Sequence, residues 1–179
     1  HFGLPEPQAV RALQAAGIAV ISTATTVAEA RALEAAGIDA VIAQGWEAGG
    51  HRGSHRPADP AQGVGTMALV PQIVDAVDRP VIAAGGITDG RGIAAALMLG
   101  ASAVQMGTAF LFCPEAQVSN SHRKALLAAR DDSTRLTRLF SGKPARSIVN
   151  DLMERLEDLE DQTAPFPTQT SLIAPLRHE

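Results

Sequence analysis

Tyrosine is absent from this chain of 179 residues, and aromatic side chains make up only 3% of it, with a single tryptophan. Since 46% of the residues are nonetheless hydrophobic, the core must be assembled from Ala, Val, Leu and Ile. That is the usual filling of layered α/β proteins with close helix–strand packing. One cysteine, Cys113, excludes an internal disulfide and fits a reducing, cytoplasmic compartment. No block of lysine and arginine stands out and the net charge is -4, so the electrostatic footprint of a nucleic-acid binder is missing. No apolar run approaches the ~20 residues that a bilayer-spanning helix needs. There is no signal peptide, no His/Cys/Asp spacing suited to a metal and no P-loop pattern. The opening His1-Phe2-Gly3 lacks an initiator methionine and reads as the start of an excised piece. The length itself suits one domain with a sizeable core.

What is present is a strand–helix alternation over the first two-thirds. Helical segments are expected at Pro5 to Ala16, Val27 to Ala36, about Met67 to Val77, and Asp89 to Leu99. Apolar strand seeds fall at Ile18 to Ser22, Asp39 to Ala43, Pro80 to Ala84 and Ser102 to Met106, and His1-Phe2-Gly3 has the look of a fifth strand's tail. Gly17, Gly37 and Gly100 each stand where a helix stops and feeds the next strand, the position of a C-terminal glycine cap. Repeated units of this kind imply a parallel sheet with crossover helices. After Phe110 the pattern changes. Asn120 to Arg130 reads as a helix and Thr134 to Phe140 as a short strand or extended segment. Gly142 to Arg146 reads as a turn, Ser147 to Leu159 as an amphipathic helix, and Thr163 to Pro175 as an extended tail. Residues 1–110 therefore form the strand–helix part and 111–179 a helical C-terminal elaboration and tail of the same domain.

The chemistry-bearing stretch is Ala43-Gln44-Gly45-Trp46-Glu47-Ala48-Gly49-Gly50-His51-Arg52-Gly53, a glycine-rich loop directly after a strand. It carries one amide, one carboxylate, one imidazole and one guanidinium, and its glycines let the backbone approach a bound group without an intervening Cβ. Two more strands end in small residues: Gly85-Gly86 and Gln105-Met106-Gly107-Thr108. In a parallel α/β sheet or barrel the carboxyl ends of all strands share one face, and that face holds the site. Bare backbone N–H groups and a helix N-terminus make such glycine pairs suited to a phosphate. Gly85-Gly86 leads through Thr88-Asp89 into a helix, as that requires. Other residues carry less. Glu47 either orients His51 or faces solvent, and His55 and Arg56 either reach an anionic substrate or are solvated loop charges. Ser22 and Thr23 face the same site or cap a turn, and Cys113 reads as a small core residue rather than a nucleophile.

The segments Ala43 to Gly53, Ala83-Ala84-Gly85-Gly86-Ile87 and Gln105-Met106-Gly107-Thr108-Ala109-Phe110 together resemble the nitronate monooxygenase family, formerly called 2-nitropropane dioxygenases. The similarity extends to His1-Phe2-Gly3 and to Gly142-Lys143-Pro144-Ala145-Arg146. The first and third segments are specific, whereas the middle one is shared by many phosphate-binding barrels. The resemblance implies an FMN-dependent TIM (β/α)8 barrel, of which this chain supplies roughly the second half. It implies that Gly86, Gln105, Met106, Gly107 and Thr108 hold the FMN phosphate side, that Gln44 and Gly49 contact the cofactor nearer its ring, and that His51 is catalytic. The implied activity is FMN-dependent oxidation of nitronates and nitroalkanes by dioxygen to carbonyl compounds and nitrite.

Two rival readings stand beside this one. The flavin-dependent enoyl-acyl-carrier-protein reductases have closely similar Gly-Gly-His and Met-Gly-Thr segments but take electrons from a reduced nicotinamide. A non-catalytic half-barrel that binds a phosphate-bearing ligand is the alternative from another class. Four or five strands do not close a barrel, and a half-barrel exposes sheet edges. The expected partner is therefore the amino-terminal half or a second copy of the chain, alongside a nitronate or nitroalkane substrate and dioxygen.

Overall fold

The computed structural model describes residues 3–56 and 62–177. His1 and Phe2, assigned above to a fifth strand, lie outside them. Two compact units form: one of His1–Ala48 with Gly53–Ala109, the other of Gly49–Arg52 with Phe110–Glu179.

The first unit alternates α1 (Pro7–Ala15), β1 (Ile21–Ala24), α2 (Val27–Ala35), β2 (Ala40–Gln44), α3 (Thr66–Val74), β4 (Val81–Ala84), α4 (Gly90–Met98) and β5 (Ala103–Gln105). A dipeptide strand, β3 (Gly50–His51), belongs to the second unit. The four longer strands make one parallel sheet in the order β1-β2-β4-β5. This is the α/β architecture expected, the repeat of half a (β/α)8 barrel.

Local chemistry explains the boundaries. Pro7 occupies the first turn of α1, where a missing N–H is harmless. The Thr26 hydroxyl accepts from Glu29 N at the start of α2, while the Glu29 carboxylate accepts from Thr25 N at 2.7 Å and from its hydroxyl at 2.8 Å. Gly17, Gly37 and Gly100 all take positive φ (+76°, +85° and +94°) just past α1, α2 and α4, the left-handed turn that only glycine makes without strain. Strand β1 sits further along the chain than its apolar seed suggests. Asp39 explains the shift: its carboxylate accepts from Val20 N at 2.7 Å and from Gln14 Nε2 at 3.0 Å. The residues before Ile21 are thereby tied to the α2–β2 joint, and these bonds hold the Asp39 pKa below the usual carboxylate value.

One face of the sheet is dry. Val41, Ala43, Val81 and Ala83 are buried there with Leu33, Leu69, Val70 and Ile73 from α2 and α3. The other face, with Ile21, Ile42 and Ile82, is only partly covered, and Ile21 remains 44% exposed.

The second unit differs from its sequence reading. Besides α5 (Asn120–Ala128) it holds an antiparallel sheet in the order β3-β7-β6, with β6 at Thr134–Thr137 and β7 at Ala145–Ile148. The expected helix from Ser147 begins instead as a strand. Helix α6 (Asp151–Arg155) starts only after Asn150, whose side chain accepts from Met153 N, and a 3₁₀-helix follows at Glu157–Gln162. The expected extended tail contains α7 (Thr168–Ile173) and a 3₁₀-turn at Ala174–Arg177. Among the described residues no helix is long and apolar enough to cross a membrane.

Candidate functional site

Register brings the expected cofactor residues of the first unit into line. Gln44 pairs with Ala84, and Ala84 with Gln105. The carboxyl ends of β2, β4 and β5 therefore stop side by side, and Gly85-Gly86 and Met106-Gly107-Thr108 follow at the same edge. Gly85 and Gly86 take φ of +115° and +67°, a conformation that holds the turn open only because both are glycine. A Cβ on Gly85 would come within 2.9 Å of the Thr66 hydroxyl and 3.0 Å of Ala48 N. Gly107 is different: its φ is not in the left-handed region, and a Cβ there would meet nothing within 4 Å. Neither backbone nor packing within the described residues requires glycine at that point. The N–H groups of Gly86, Gly107 and Thr108 donate to no other group among the described residues. The open space lies at Gly107, whereas a Cβ on Gly86 would meet the Glu47 side chain at 3.3 Å.

The loop after β2 is held on several sides. The Gln44 Oε1 accepts from Gly53 N at 2.8 Å, so the Gln44 amide is engaged in ordering its own loop. Glu47 is exposed, the second of the two roles expected for it. Its carboxylate accepts from Thr66 N at 2.9 and 3.0 Å and from the Thr66 hydroxyl at 2.9 Å, which caps α3 where Gly65 offers no side chain. The Thr66 oxygen also lies 2.9 Å from the Gly85 carbonyl, so one threonine links the Glu47 loop to the Gly85-Gly86 turn. No sequence motif announces this link, although Glu47 within a glycine loop and Thr66 at a helix start are each visible.

Three further expectations are corrected. The N-terminus of α4 is already occupied: Asp89 accepts from Arg91 N and Gly92 N and pairs with the Arg91 guanidinium at 2.7 Å. Donors for an anion at Gly86 therefore come from the turn and not from that helix. Ser22 lies inside β1 rather than at its end and is 1% exposed, buried on the same side as Ala24. His55 is a tether, its Nε2 3.0 Å from the Thr23 carbonyl and its N–H donating to Glu29 at 2.7 Å.

In the second unit His51 pairs with Ala145 and Gly50 with Arg146 across β3 and β7, and Arg52 N donates to Pro144 O. Gly49 precedes this short strand and is exposed. His51 Nε2 lies 2.7 Å from the Ser141 hydroxyl, and Phe166 meets the imidazole edge-on at a 5.9 Å centroid distance. Burial, foremost, and the nearby Lys143 ammonium push the His51 pKa below its usual value. The ring is thus neutral near pH 7, a state in which one nitrogen can take a proton. Ser141 was not marked by the sequence. It stands ninety residues from His51, and only the sheet brings the two together.

A family model described as nitronate monooxygenase matches residues 1–179. A probable nitronate monooxygenase of Bacillus subtilis (strain 168) is 50% identical over 178 residues, covering 99% of this chain and 51% of that protein. One from Staphylococcus aureus (strain Newman) is 49% identical, with 98% and 50% covered. The solved nitroalkane oxidase from Streptomyces ansochromogenes superposes with a TM-score of 0.93 at 49% identity, over 99% of this chain and 51% of that one. FabK from Thermotoga maritima gives 0.77 at 39% identity, over 90% and 49%. The chain spans about half the length of the curated relatives it matches.

Proposed function

The chain belongs to the nitronate monooxygenase family, and from that premise we propose that it is the FMN-phosphate and histidine-bearing part of an enzyme that oxidises nitronates and nitroalkanes. The observation that carries the reading is the aligned edge of β2, β4 and β5, where Gly86, Gly107 and Thr108 have N–H groups without partners among the described residues. The similarity to the Streptomyces ansochromogenes nitroalkane oxidase supports the same substrate class.

In this reading the backbone of Gly86 and Gly107, with Thr108 and the neighbouring Gln105 and Met106, receives the FMN phosphate. Gln44 and Gly49 lie nearer the ring. When bound, FMN would supply the redox chemistry that carries electrons from the organic substrate to dioxygen, with a carbonyl compound and nitrite as products. The residues of this chain bind, orient and move protons. The neutral His51 imidazole takes the α-proton of a neutral nitroalkane; for an already deprotonated nitronate it needs only to orient the anion. The protein acts together with the segment that closes the barrel, either the amino-terminal half or a second copy. Its location is cytoplasmic.

Replacement of His51 tests the reading. In the whole protein His51→Asn keeps FMN bound, because the phosphate donors lie elsewhere. Turnover of a neutral nitroalkane falls by ~10²–10⁴-fold, the usual contribution of a general base, while turnover of the nitronate falls less. Equal losses on both substrates would mean that His51 is not the base, and no loss on either would remove it from catalysis.

A further inference from the structure

We propose that Thr66 is a positioning residue for the cofactor edge: its hydroxyl holds the Gly85 carbonyl and so aims the Gly86 N–H at the phosphate. The proposal deepens, and rests on, the reading of Gly86 as a phosphate donor.

The turn needs such a hold. Gly85 and Gly86 both lack a Cβ and both take positive φ, +115° and +67°. Two glycines in a row leave the peptide plane between them free to turn over, because no Cβ of their own opposes either orientation. That plane is rigid and trans, so the Gly85 carbonyl and the Gly86 N–H point in opposite directions. Whatever fixes the one fixes the other.

Thr66 is 8% exposed and is the first residue of α3. Its Oγ1 lies 2.9 Å from the Gly85 carbonyl and 2.9 Å from the Glu47 carboxylate. A hydroxyl has one proton to give. The carboxylate also accepts from Thr66 N, at 2.9 and 3.0 Å. The Gly85 carbonyl has no other donor among the described residues. Sent to Gly85, the proton leaves neither acceptor bare. Sent to Glu47, it strips the carbonyl of its donor in a half-buried turn, where an unmade bond is costly. Packing adds to the hold. A Cβ on Gly85 would stand 3.0 Å from Ala48 N, and one on Gly86 3.3 Å from the Glu47 Cβ. Gly86 itself is exposed, and its N–H, opposite the held carbonyl, points away from Thr66. The bond to the carbonyl also polarises the peptide and strengthens that N–H as a donor.

Riboflavin is FMN without the phosphate, so the ratio of the two Kd values isolates what the phosphate contributes. Fluorescence titration of the flavin-free whole protein with each measures it. The native protein binds FMN more tightly than riboflavin. Thr66→Val keeps the shape of the side chain and the backbone N–H to Glu47 but loses the hydroxyl. It weakens FMN binding on the order of 10-fold and leaves riboflavin binding unchanged. Thr66→Ser, which keeps the hydroxyl, restores the native ratio. Thr66→Ala repeats the measurement in a site that cannot be overfilled, with the same result expected. A structural role alone would weaken both flavins alike, and that outcome overturns the proposal. So does a native ratio that survives in both the valine and the alanine variants, which removes Thr66 and leaves the phosphate edge standing. A native protein that binds the two flavins equally removes the phosphate edge itself, and the proposal with it.

Discussion

Gly107 offers a substitution that separates ligand binding from folding. Its Cβ would meet nothing within 4 Å, and its φ lies outside the left-handed region, so alanine fits the fold without strain. At such a position Gly→Ala stabilises by about 0.4–1 kcal/mol, because the unfolded chain has fewer conformations to lose. For a protein of this size that raises Tm by up to about 4 °C. The bound state responds the other way. A methyl group in the open space beside the Gly107 and Thr108 N–H groups holds the phosphate off the backbone. A hydrogen bond to a charged group contributes about 1.5–3 kcal/mol. Losing one weakens binding by about 10- to 150-fold, at about 1.4 kcal/mol per decade. Fluorescence titration of the flavin-free whole protein with FMN, beside a melting curve of the same sample, measures both quantities. A weaker Kd with an unchanged or higher Tm is the expected pair. An unchanged Kd would refute the placement of the phosphate, and a Tm that falls by many degrees would refute the claim that the space is empty.

Gly85→Ala is the contrasting case: at φ +115° and 2.9 Å from the Thr66 hydroxyl, it destabilises the fold by about 2–4 kcal/mol, visible as a lower denaturation midpoint before any ligand is added. Ser22→Ala removes a buried hydroxyl that has no hydrogen-bond partner among the described residues and raises stability by about 1 kcal/mol, readable by urea denaturation. Since burial and Lys143 lower the His51 pKa, the base form persists to lower pH than for free imidazole. The acid limb of kcat/KM for a neutral nitroalkane therefore has its midpoint below the usual histidine value. Lys143→Met removes the repulsion and moves that midpoint upward; a midpoint that stays put or falls would show that Lys143 does not act on His51.

The strand–helix repeat was legible in the sequence because each signal was local. Alanine-rich helices stop at Gly17, Gly37 and Gly100, and short apolar runs stand between them. The aligned strand ends were legible for the same reason, since Gly85-Gly86 and Gln105 to Thr108 each follow an apolar strand directly. What stayed hidden depended on long-range pairing. β7 is read as the start of a helix from Ser147 because its apolar spacing runs on into Leu152 and Leu156; only pairing with β6 and with Gly50-His51 makes it a strand. Glu47 as the cap of α3, Ser141 as the partner of His51, and Asp89 as the occupant of the α4 N-terminus all follow from side-chain geometry that spacing does not encode.

The most direct measurement is the visible flavin absorbance of the whole protein, loaded with FMN and kept free of oxygen. Addition of a nitronate should reduce the bound flavin and bleach its colour, and admitting dioxygen should restore it with release of nitrite, while a reduced nicotinamide should leave it unchanged. A protein that retains no flavin, or one bleached by the nicotinamide and indifferent to the nitronate, would contradict the account.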